Sequence, residues 1–231
     1  MAMWFQQVFD PESRSYSYLI GDERVAAVID PVFERVDALC ALLASRRLLW
    51  ALETHVHADH VTGSAVLRAR AGCQIAVPRL ANSCQCADRS LVEGDEIPVG
   101  ALRLRVIETP GHTPESVSYY VEAEKMLFTG DALLVGTCGR TDFQGGDPGA
   151  LYDSLHLKLF ALPETVAVYP GHDYRGQTQT AIGVEKRGNQ RAAGRTRDEF
   201  ITLMNSLDLA PPEKMAEAIP ANQRCGSPHE A

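Results

Sequence analysis

The stretch THVHADHVTG, residues 54–63, decides how this chain is interpreted. Its first seven residues contain three histidines and one aspartate, namely His55, His57, Asp59 and His60. Alternate side chains of an extended segment share a face, so His55 and His57 point to the same side. A turn then brings Asp59 and His60 back toward them. Imidazole and carboxylate suit zinc, iron or manganese, and burying so many titratable groups without a cation would be costly, so the stretch predicts a metal site.

Three further glycine-containing motifs carry residues of the same chemistry. His112 lies in TPGHT, Asp131 in FTGD and His172 in PGHD. Each motif follows a predicted strand, as the segment around His55 does. Any one of these residues alone would be typical of an ordinary turn. Four strand ends that bring such residues to one rim indicate a metal site on loops held by a sheet.

Short apolar runs separated by turn signals predict a mixed fold. The 231 residues are 45% apolar and 23% charged, and we expect a single domain, residues 1–231, with a short helical extension from about residue 176. Strands are expected at residues 15–20, 24–29, 48–53, 74–78, 102–108, 116–121, 126–129 and 166–169. Helices are expected at residues 33–46, 61–71, 149–159, 197–207 and 212–218. This mixture favours an α+β architecture with a sheet-on-sheet core and helices outside.

Charge and hydropathy exclude several classes of partner. The formal net charge is −8, and no long block of Lys and Arg occurs, so we expect neither nucleic-acid nor membrane binding. No apolar run reaches the roughly 18 residues that a bilayer span requires. The N-terminal sequence MAMWFQQ lacks the pattern of a signal or transit peptide, which predicts a cytoplasmic protein.

Six cysteines are present, at positions 40, 73, 84, 86, 138 and 225, with no Cys-x-x-Cys pair and no disulfide ladder. We expect them to be reduced thiols. A redox or metal-binding role for the close pair Cys84 and Cys86 is the alternative. His156, on a predicted helix, and His229, in the tail, are assigned no function.

The order His-x-His-x-Asp-His, Gly-His, Gly-Asp, Gly-His resembles the metallo-β-lactamase superfamily over residues 1 to about 175. The resemblance implies an αββα sandwich, with two mixed β-sheets flanked by helices and a metal site at one edge. Dinuclear members hold one metal with the residues that match His55, His57 and His112. They hold the second with the matches to Asp59, His60 and His172, and the match to Asp131 bridges the two metals.

The flanking motifs resemble the persulfide dioxygenases, also called sulfur dioxygenases. These motifs are THVHADHVTG at residues 54–63, GTCGRTDFQ at 136–144, YPGHDY at 169–174 and PANQRCG at 220–226. The resemblance implies oxidation of glutathione persulfide, with O₂ and water, to sulfite and glutathione, a step of sulfide oxidation in sulfur metabolism. It implies one ferrous ion per chain, held by His55, His112 and Asp131, with three coordination positions open for the persulfide and O₂.

The same resemblance gives roles to further residues. It implies that His57, Asp59, His60 and His172 surround the ligands or form a vacant second-metal site. Tyr174 and Arg191 are implied to contact the glutathione part of the substrate, and Cys138 and Arg140 to be structural or to support the ligands. The family usually has Asn-Pro-Arg where this chain has Asn189-Gln190-Arg191, so the loop that carries Arg191 is expected to be looser.

Two other functions stay open at this point. A glyoxalase II-type glutathione thioester hydrolase would use the same histidines and aspartates around two metals. Such hydrolases usually carry a longer C-terminal helical domain, whereas 59 residues (231 minus 172) follow His172 here. A non-catalytic persulfide carrier would depend on Cys84 and Cys86. A homodimer and a sulfurtransferase partner are compatible with the dioxygenase interpretation.

Overall fold

A computed structural model describes residues 2–81, 84 and 86–227. Gln85 of the Cys84–Cys86 segment and His229 of the tail therefore lie outside the described residues. The chain divides into two compact units. The first comprises Met1–Leu91, Glu96–Leu104 and Pro211–Ala231, and the second comprises Val92–Asp95 and Arg105–Ala210. Single-domain behaviour stays a prediction.

The first sheet of the described chain is six-stranded and mixed, with its strands in sequence order. Its strands are β1 (Trp4–Asp10), β2 (Ser15–Gly21), β3 (Val25–Ile29), β4 (Arg47–Leu52), β5 (Gln74–Pro78) and β6 (Arg89–Leu91). The pairs from β1 to β3 are antiparallel, whereas β3 to β6 run parallel. Strand β2 is buried along its whole length.

The second sheet is also six-stranded and mixed, in the order β12-β11-β10-β9-β8-β7. Its strands are β7 (Glu96–Val99), β8 (Leu102–Glu108), β9 (Val117–Val121), β10 (Met126–Phe128), β11 (Ala167–Tyr169) and β12 (Thr180–Ala181). Strand β9 pairs antiparallel with β8 and β10, whereas β10 and β11 are parallel. Two mixed sheets with helices between their strands confirm the α+β prediction.

Six α-helices are found in the described residues. They are α1 (Val36–Leu43), α2 (Ser64–Ala71), α3 (Pro148–Asp153), α4 (Ile182–Gly188), α5 (Arg197–Asn205) and α6 (Met215–Asn222). A 3₁₀ turn at Phe33–Arg35 precedes α1, and a π-helical segment at Ser154–Leu159 continues α3. No described helix is both long enough and apolar enough to cross a bilayer.

The predicted elements are found close to their expected bounds, but the sequence analysis missed β1, β6, β7, β12 and α4. Strand β1 contains Gln6 and Gln7 and is only partly buried, so its apolar periodicity is weak. It pairs with β2 over all seven of its residues, and this long-range pairing stabilises it more than its own pattern does. Helix α6 begins at Met215, later than predicted, and accommodates Pro220.

Each unit has its own apolar core. The first is formed by residues of the first sheet, α1 and α2, including Leu19, Val28, Leu39, Leu67 and Ile75. The second includes Leu127, Leu151, Leu155, Val168 and Phe200. The motif loops begin where the strands of these cores end. Strand β4 precedes His55, β8 precedes His112, β10 precedes Asp131 and β11 precedes His172. The predicted placement of these residues after strand ends is confirmed.

The expectation that all six cysteines are reduced is wrong for two of them. Cys86 and Cys225 form a disulfide across 139 residues of sequence, with their Cα atoms 6.0 Å apart. Helix α6 and the turns after it pack on the rest of the first unit and bring Cys225 to Cys86. Such a pairing cannot be inferred from spacing. The four remaining cysteines, among them Cys84, are free thiols.

Candidate metal centre

The protonation of the His55 ring follows from its neighbours. Its Nδ1 lies 2.9 Å from Oγ1 of Thr54, and that hydroxyl donates to Oδ2 of Asp30 at 2.9 Å. A hydroxyl has a single proton, so Thr54 must accept from Nδ1–H of His55. The lone pair of the imidazole therefore lies on Nε2. This is the arrangement by which a carboxylate and a hydroxyl orient a metal-binding histidine.

His57 lies between two buried carboxylates. Its Nε2 is 3.1 Å from Oδ1 of Asp30 and 3.5 Å from Oε2 of Glu53. Burial of the ring works to lower the pKa of His57, but the Asp30 and Glu53 carboxylates outweigh it and raise that pKa well above its usual value of 6.5. The ring is thus paired with two buried acids.

Asp59 and His60 contact each other and Ser15. Oδ2 of Asp59 lies 2.9 Å from Nδ1 of His60 and accepts a hydrogen bond from Oγ of Ser15 at 2.8 Å. One ligand atom each from His57, Asp59 and His60 lies within 4.8 Å of the others. These three residues of the first unit are thus close enough together to bind one cation.

His112 is oriented by the backbone of the second unit. Its Nδ1 lies 2.8 Å from the carbonyl oxygen of Arg140, which can only accept, so Nδ1 carries the proton. Nε2 then carries the lone pair and lies 3.6 Å from Oδ2 of Asp131. Two atoms bound about 2.1 Å from one ion are roughly 3.0–3.6 Å apart at ligand angles of about 90–120°. The separation of Nε2 and Oδ2 therefore suits a shared metal ion.

The other oxygen of Asp131 contacts His172. Nδ1 of His172 lies 2.7 Å from Oδ1 of Asp131, and both side chains are buried. Two glycines leave room for this carboxylate. A Cβ atom on Gly171 would lie 2.5 Å from Oδ1 of Asp131, and one on Gly139 would lie 2.3 Å from the Asp131 carbonyl. The glycine of the Gly-His motif therefore permits the close approach of Asp131.

Tyr174 is stacked on the ring of His172. The ring centroids are 5.5 Å apart with an interplanar angle of 4°, and 57% of Tyr174 is exposed. Arg191 instead donates from its guanidinium to the carbonyl of Cys138 at 2.6 Å. Burial raises the pKa of the Cys138 thiol to about 12, so this cysteine is not a thiolate at neutral pH.

The Asn189-Gln190-Arg191 loop is well held despite lacking the proline. Oδ1 of Asn189 accepts from the backbone N–H groups of Arg191 and Ala192, and its Nδ2 donates to the Thr137 carbonyl. These contacts fix the turn in the structure, and the expectation of a looser loop stays a prediction.

Arg140 is fixed by contacts within the second unit. Its Nε and Nη2 donate to the two oxygens of Asp142, both at 2.6 Å, and its guanidinium lies 4.7 Å from the ring centre of Phe143. These contacts order the segment whose carbonyl accepts from His112.

Sequence analysis did not identify Asp30, Glu53, Thr54 or Asn222 as parts of this centre. Asp30 is buried and adopts a positive φ of 48°, and its two carboxylate oxygens accept from Thr54. Glu53 accepts from the hydroxyls of Thr62 and Ser64. Asp30 directly follows the buried strand β3, and an acidic residue in that position of the sequence indicates a candidate site residue.

Comparison with known proteins gives the family context of this arrangement. A sequence profile described as "Metallo-beta-lactamase superfamily" matches residues 10–82 and 87–172. The chain is 44% identical over 226 residues to mouse (Mus musculus) "Persulfide dioxygenase ETHE1, mitochondrial", covering 96% of this chain and 88% of that protein. A crystal structure of ETHE1 from Myxococcus xanthus superposes with a TM-score of 0.93, at 48% identity, over 97% of this chain and 100% of that one.

A second kind of relative is similar over less of its length. Hydroxyacylglutathione hydrolase from Brucella anthropi is 40% identical over 167 residues. The match covers 70% of this chain and 62% of the hydrolase. Similarity to the dioxygenases therefore extends over more of both chains than similarity to this hydrolase does.

Proposed function

The chain belongs to the persulfide dioxygenase family of the metallo-β-lactamase superfamily, and we propose that it oxidises glutathione persulfide at a single ferrous ion held by His55, His112 and Asp131. Its fold is the metallo-β-lactamase fold that the motifs implied. The reaction consumes O₂ and water and releases sulfite and glutathione. The similarity over nearly the whole chain to persulfide dioxygenases carries this proposal.

The donor atoms of the proposed ligands fit a divalent metal. His55 and His112 each have Nδ1 bonded to an oxygen, which leaves Nε2 as the donor atom in both rings. Asp131 supplies one carboxylate oxygen. Two imidazoles and one carboxylate are the donor set of mononuclear non-haem iron sites, and bound ferrous iron would supply the electrons that activate O₂.

The residues around these ligands orient them. Thr54 and Asp30 hold the ring of His55, the Arg140 carbonyl holds that of His112, and His172 holds the carboxylate of Asp131. Partners of this kind fix the ring nitrogen that faces the metal and raise the basicity of the ligand.

We propose that Tyr174 and Arg191 contact the glutathione part of the substrate. Tyr174 is exposed and presents a hydroxyl donor beside His172. One guanidinium nitrogen of Arg191 is bonded to the Cys138 carbonyl, which fixes the side chain, and an arginine has five N–H donors. An arginine held in this way can still donate to a carboxylate.

A glutathione thioester hydrolase is the second candidate function. The cluster of His57, Asp59 and His60 favours it, because these residues lie close enough together to bind a cation in addition to the proposed iron, and such hydrolases use two metals. Against this, His57 is paired with Asp30 and Glu53. The third function, a non-catalytic persulfide carrier, depended on free thiols at both Cys84 and Cys86. Cys86 is bonded to Cys225, so the disulfide-bonded protein has no such pair of thiols.

Metal analysis of two sets of variants tests the proposed ligands. Replacing His55, His112 or Asp131 with Ala should remove iron and activity together. Replacing His57 or His60 with Ala should leave measurable iron, since changes around the ligands weaken metal affinity only about 10–100-fold. Complete metal loss in the second set, or two tightly held zinc ions in the wild type, would favour the hydrolase.

The cytoplasmic location expected from the N-terminus stays a prediction. The mouse relative carries the word mitochondrial in its name, so the relatives do not support a cytoplasmic location. A homodimer and a sulfurtransferase partner also stay proposals.

A further inference from the structure

The side chain of Asn222, the last residue of α6, bonds to three backbone groups of the loop that follows His55. Its Nδ2 donates to the carbonyls of His57 and His60, each at 2.8 Å. Its Oδ1 accepts from the backbone N–H of Thr62 at 2.8 Å. The residue is 5% exposed. One buried amide thus holds the backbone at both ends of the segment 57–62.

The chemistry of these partners fixes the orientation of the amide. Carbonyls can only accept and a backbone N–H can only donate, so the amide nitrogen must face His57 and His60 while its oxygen faces Thr62. Both amide protons and one oxygen lone pair are used. A side chain without two donors and an acceptor in this geometry cannot replace it.

Cys225 and Gly226, here called the C-terminal clamp, anchor the chain just after Asn222 to the rest of the first unit. Cys225 is bonded to Cys86, and its carbonyl accepts from the backbone N–H of Ala65 at 2.9 Å. Gly226 has a φ of +73°, and a Cβ atom there would lie 1.8 Å from the Thr62 carbonyl. Asn222 is therefore presented to the loop from a fixed backbone.

We propose that Asn222 is a positioning residue for the metal-binding loop. Its amide sets the backbone at His57 and His60, and so sets the directions from which their imidazoles support the metal centre. This inference rests on the proposed function, because the loop matters for catalysis only if His55 of the same loop holds the metal. The C-terminal clamp keeps the amide in place.

The variant Asn222→Asp tests this role with little change in size. It keeps an acceptor for Thr62 but replaces two N–H donors with an oxygen that faces two carbonyls. We expect ferrous iron to bind roughly 10–100-fold more weakly. The electron paramagnetic resonance spectrum of the nitric oxide adduct of the ferrous protein should change in rhombicity. At saturating iron, kcat should fall while KM for glutathione persulfide stays within about twofold, since the loop does not contact glutathione in the proposal.

Gln223→Glu is the matched control, because it makes the same amide-to-acid change at the next residue. It should keep the iron affinity and the nitrosyl spectrum of the wild type. If Asn222→Asp does not accumulate as folded protein, Asn222→Ser, which keeps one hydroxyl donor, should show the same changes to a smaller degree.

Two results would overturn the inference. One is an Asn222→Asp protein with the iron affinity, nitrosyl spectrum and kcat of the wild type. The other is a variant that is less stable to heat but has an unchanged spectrum and an unchanged kcat per bound iron, because that is a purely structural role. Failure of the proposed function would be seen differently, as a wild-type protein that takes up no O₂ with glutathione persulfide.

Discussion

Nδ1 of His172 lies 2.7 Å from Oδ1 of Asp131, and the second oxygen of this carboxylate lies 3.6 Å from Nε2 of His112. His172 thus holds the aspartate in the rotamer that turns Oδ2 toward the proposed ligand His112. In the proposed site with a single iron, this contact would make His172 a residue that orients Asp131 and does not bind the metal itself.

His172→Ala should weaken iron binding without abolishing it. Removing the hydrogen bond to Asp131 frees the carboxylate to rotate, and losses of this kind cost about 10–100-fold in metal affinity. Competition with a ferrous chelator measures the change. His156→Ala is the control, because His156 packs on Tyr152 in the same unit. Equal affinity in His172→Ala and wild type would contradict the orienting role.

Gly171→Ala should disturb the metal centre far more than its size suggests. Its Cβ would lie 2.5 Å from Oδ1 of Asp131, so the carboxylate must move. We expect iron affinity to fall by at least about 10–100-fold. Gly188→Ala is the matched control, since no atom lies within 4 Å of a Cβ there and the residue ends α4. That variant should keep its iron and gain up to about 1 kcal/mol in stability.

Thr54→Val should impair the site through His55. Valine has the shape of threonine but no hydroxyl, so Nδ1–H of the buried His55 ring loses its acceptor and Asp30 loses a donor. Iron affinity should fall roughly 10–100-fold, whereas Thr54→Ser, which keeps the hydroxyl, should stay near the wild type. Titration with ferrous iron measures the affinity of the wild type and of both variants. Equal iron affinity in Thr54→Val and Thr54→Ser would show that the hydroxyl does not support the site.

Reduction of the disulfide should destabilise the protein. Cys86 and Cys225 are 139 residues apart, and a cross-link over a long loop contributes about 2–5 kcal/mol by restricting the unfolded chain. Urea unfolding of the wild type should shift to lower denaturant when dithiothreitol is added. Cys86→Ser should unfold early in both conditions, and Cys84→Ser should respond to the reductant as the wild type does. An insensitive wild type would mean that the bond contributes nothing to stability.

The part of this centre that could be predicted from sequence is the part encoded locally. His55, His57, Asp59 and His60 lie within six residues, and their chemistry is specific enough to indicate a metal without knowledge of the fold. The strands before the motifs were predictable because their apolar runs are bounded by turn residues.

The supporting contacts could not be predicted, because they join residues distant in sequence. Asn222 bonds to the carbonyl of His57 across 165 residues, and Cys86 is bonded to Cys225 across 139. Asp30 reaches Thr54 across 24 residues, through the parallel pairing of β3 and β4. Which residues form such pairs depends on the sheet register and on the path of α6, and a single sequence specifies neither directly.

Oxygen uptake with glutathione persulfide tests the central claim most directly. Protein loaded anaerobically with ferrous iron should consume the persulfide only when O₂ is admitted, with one O₂ taken up for each sulfite released. The His112→Ala protein, treated in the same way, should take up none above the uncatalysed rate. Full turnover of the persulfide under strict anaerobiosis, or efficient hydrolysis of S-lactoylglutathione without O₂ uptake, would contradict the dioxygenase function.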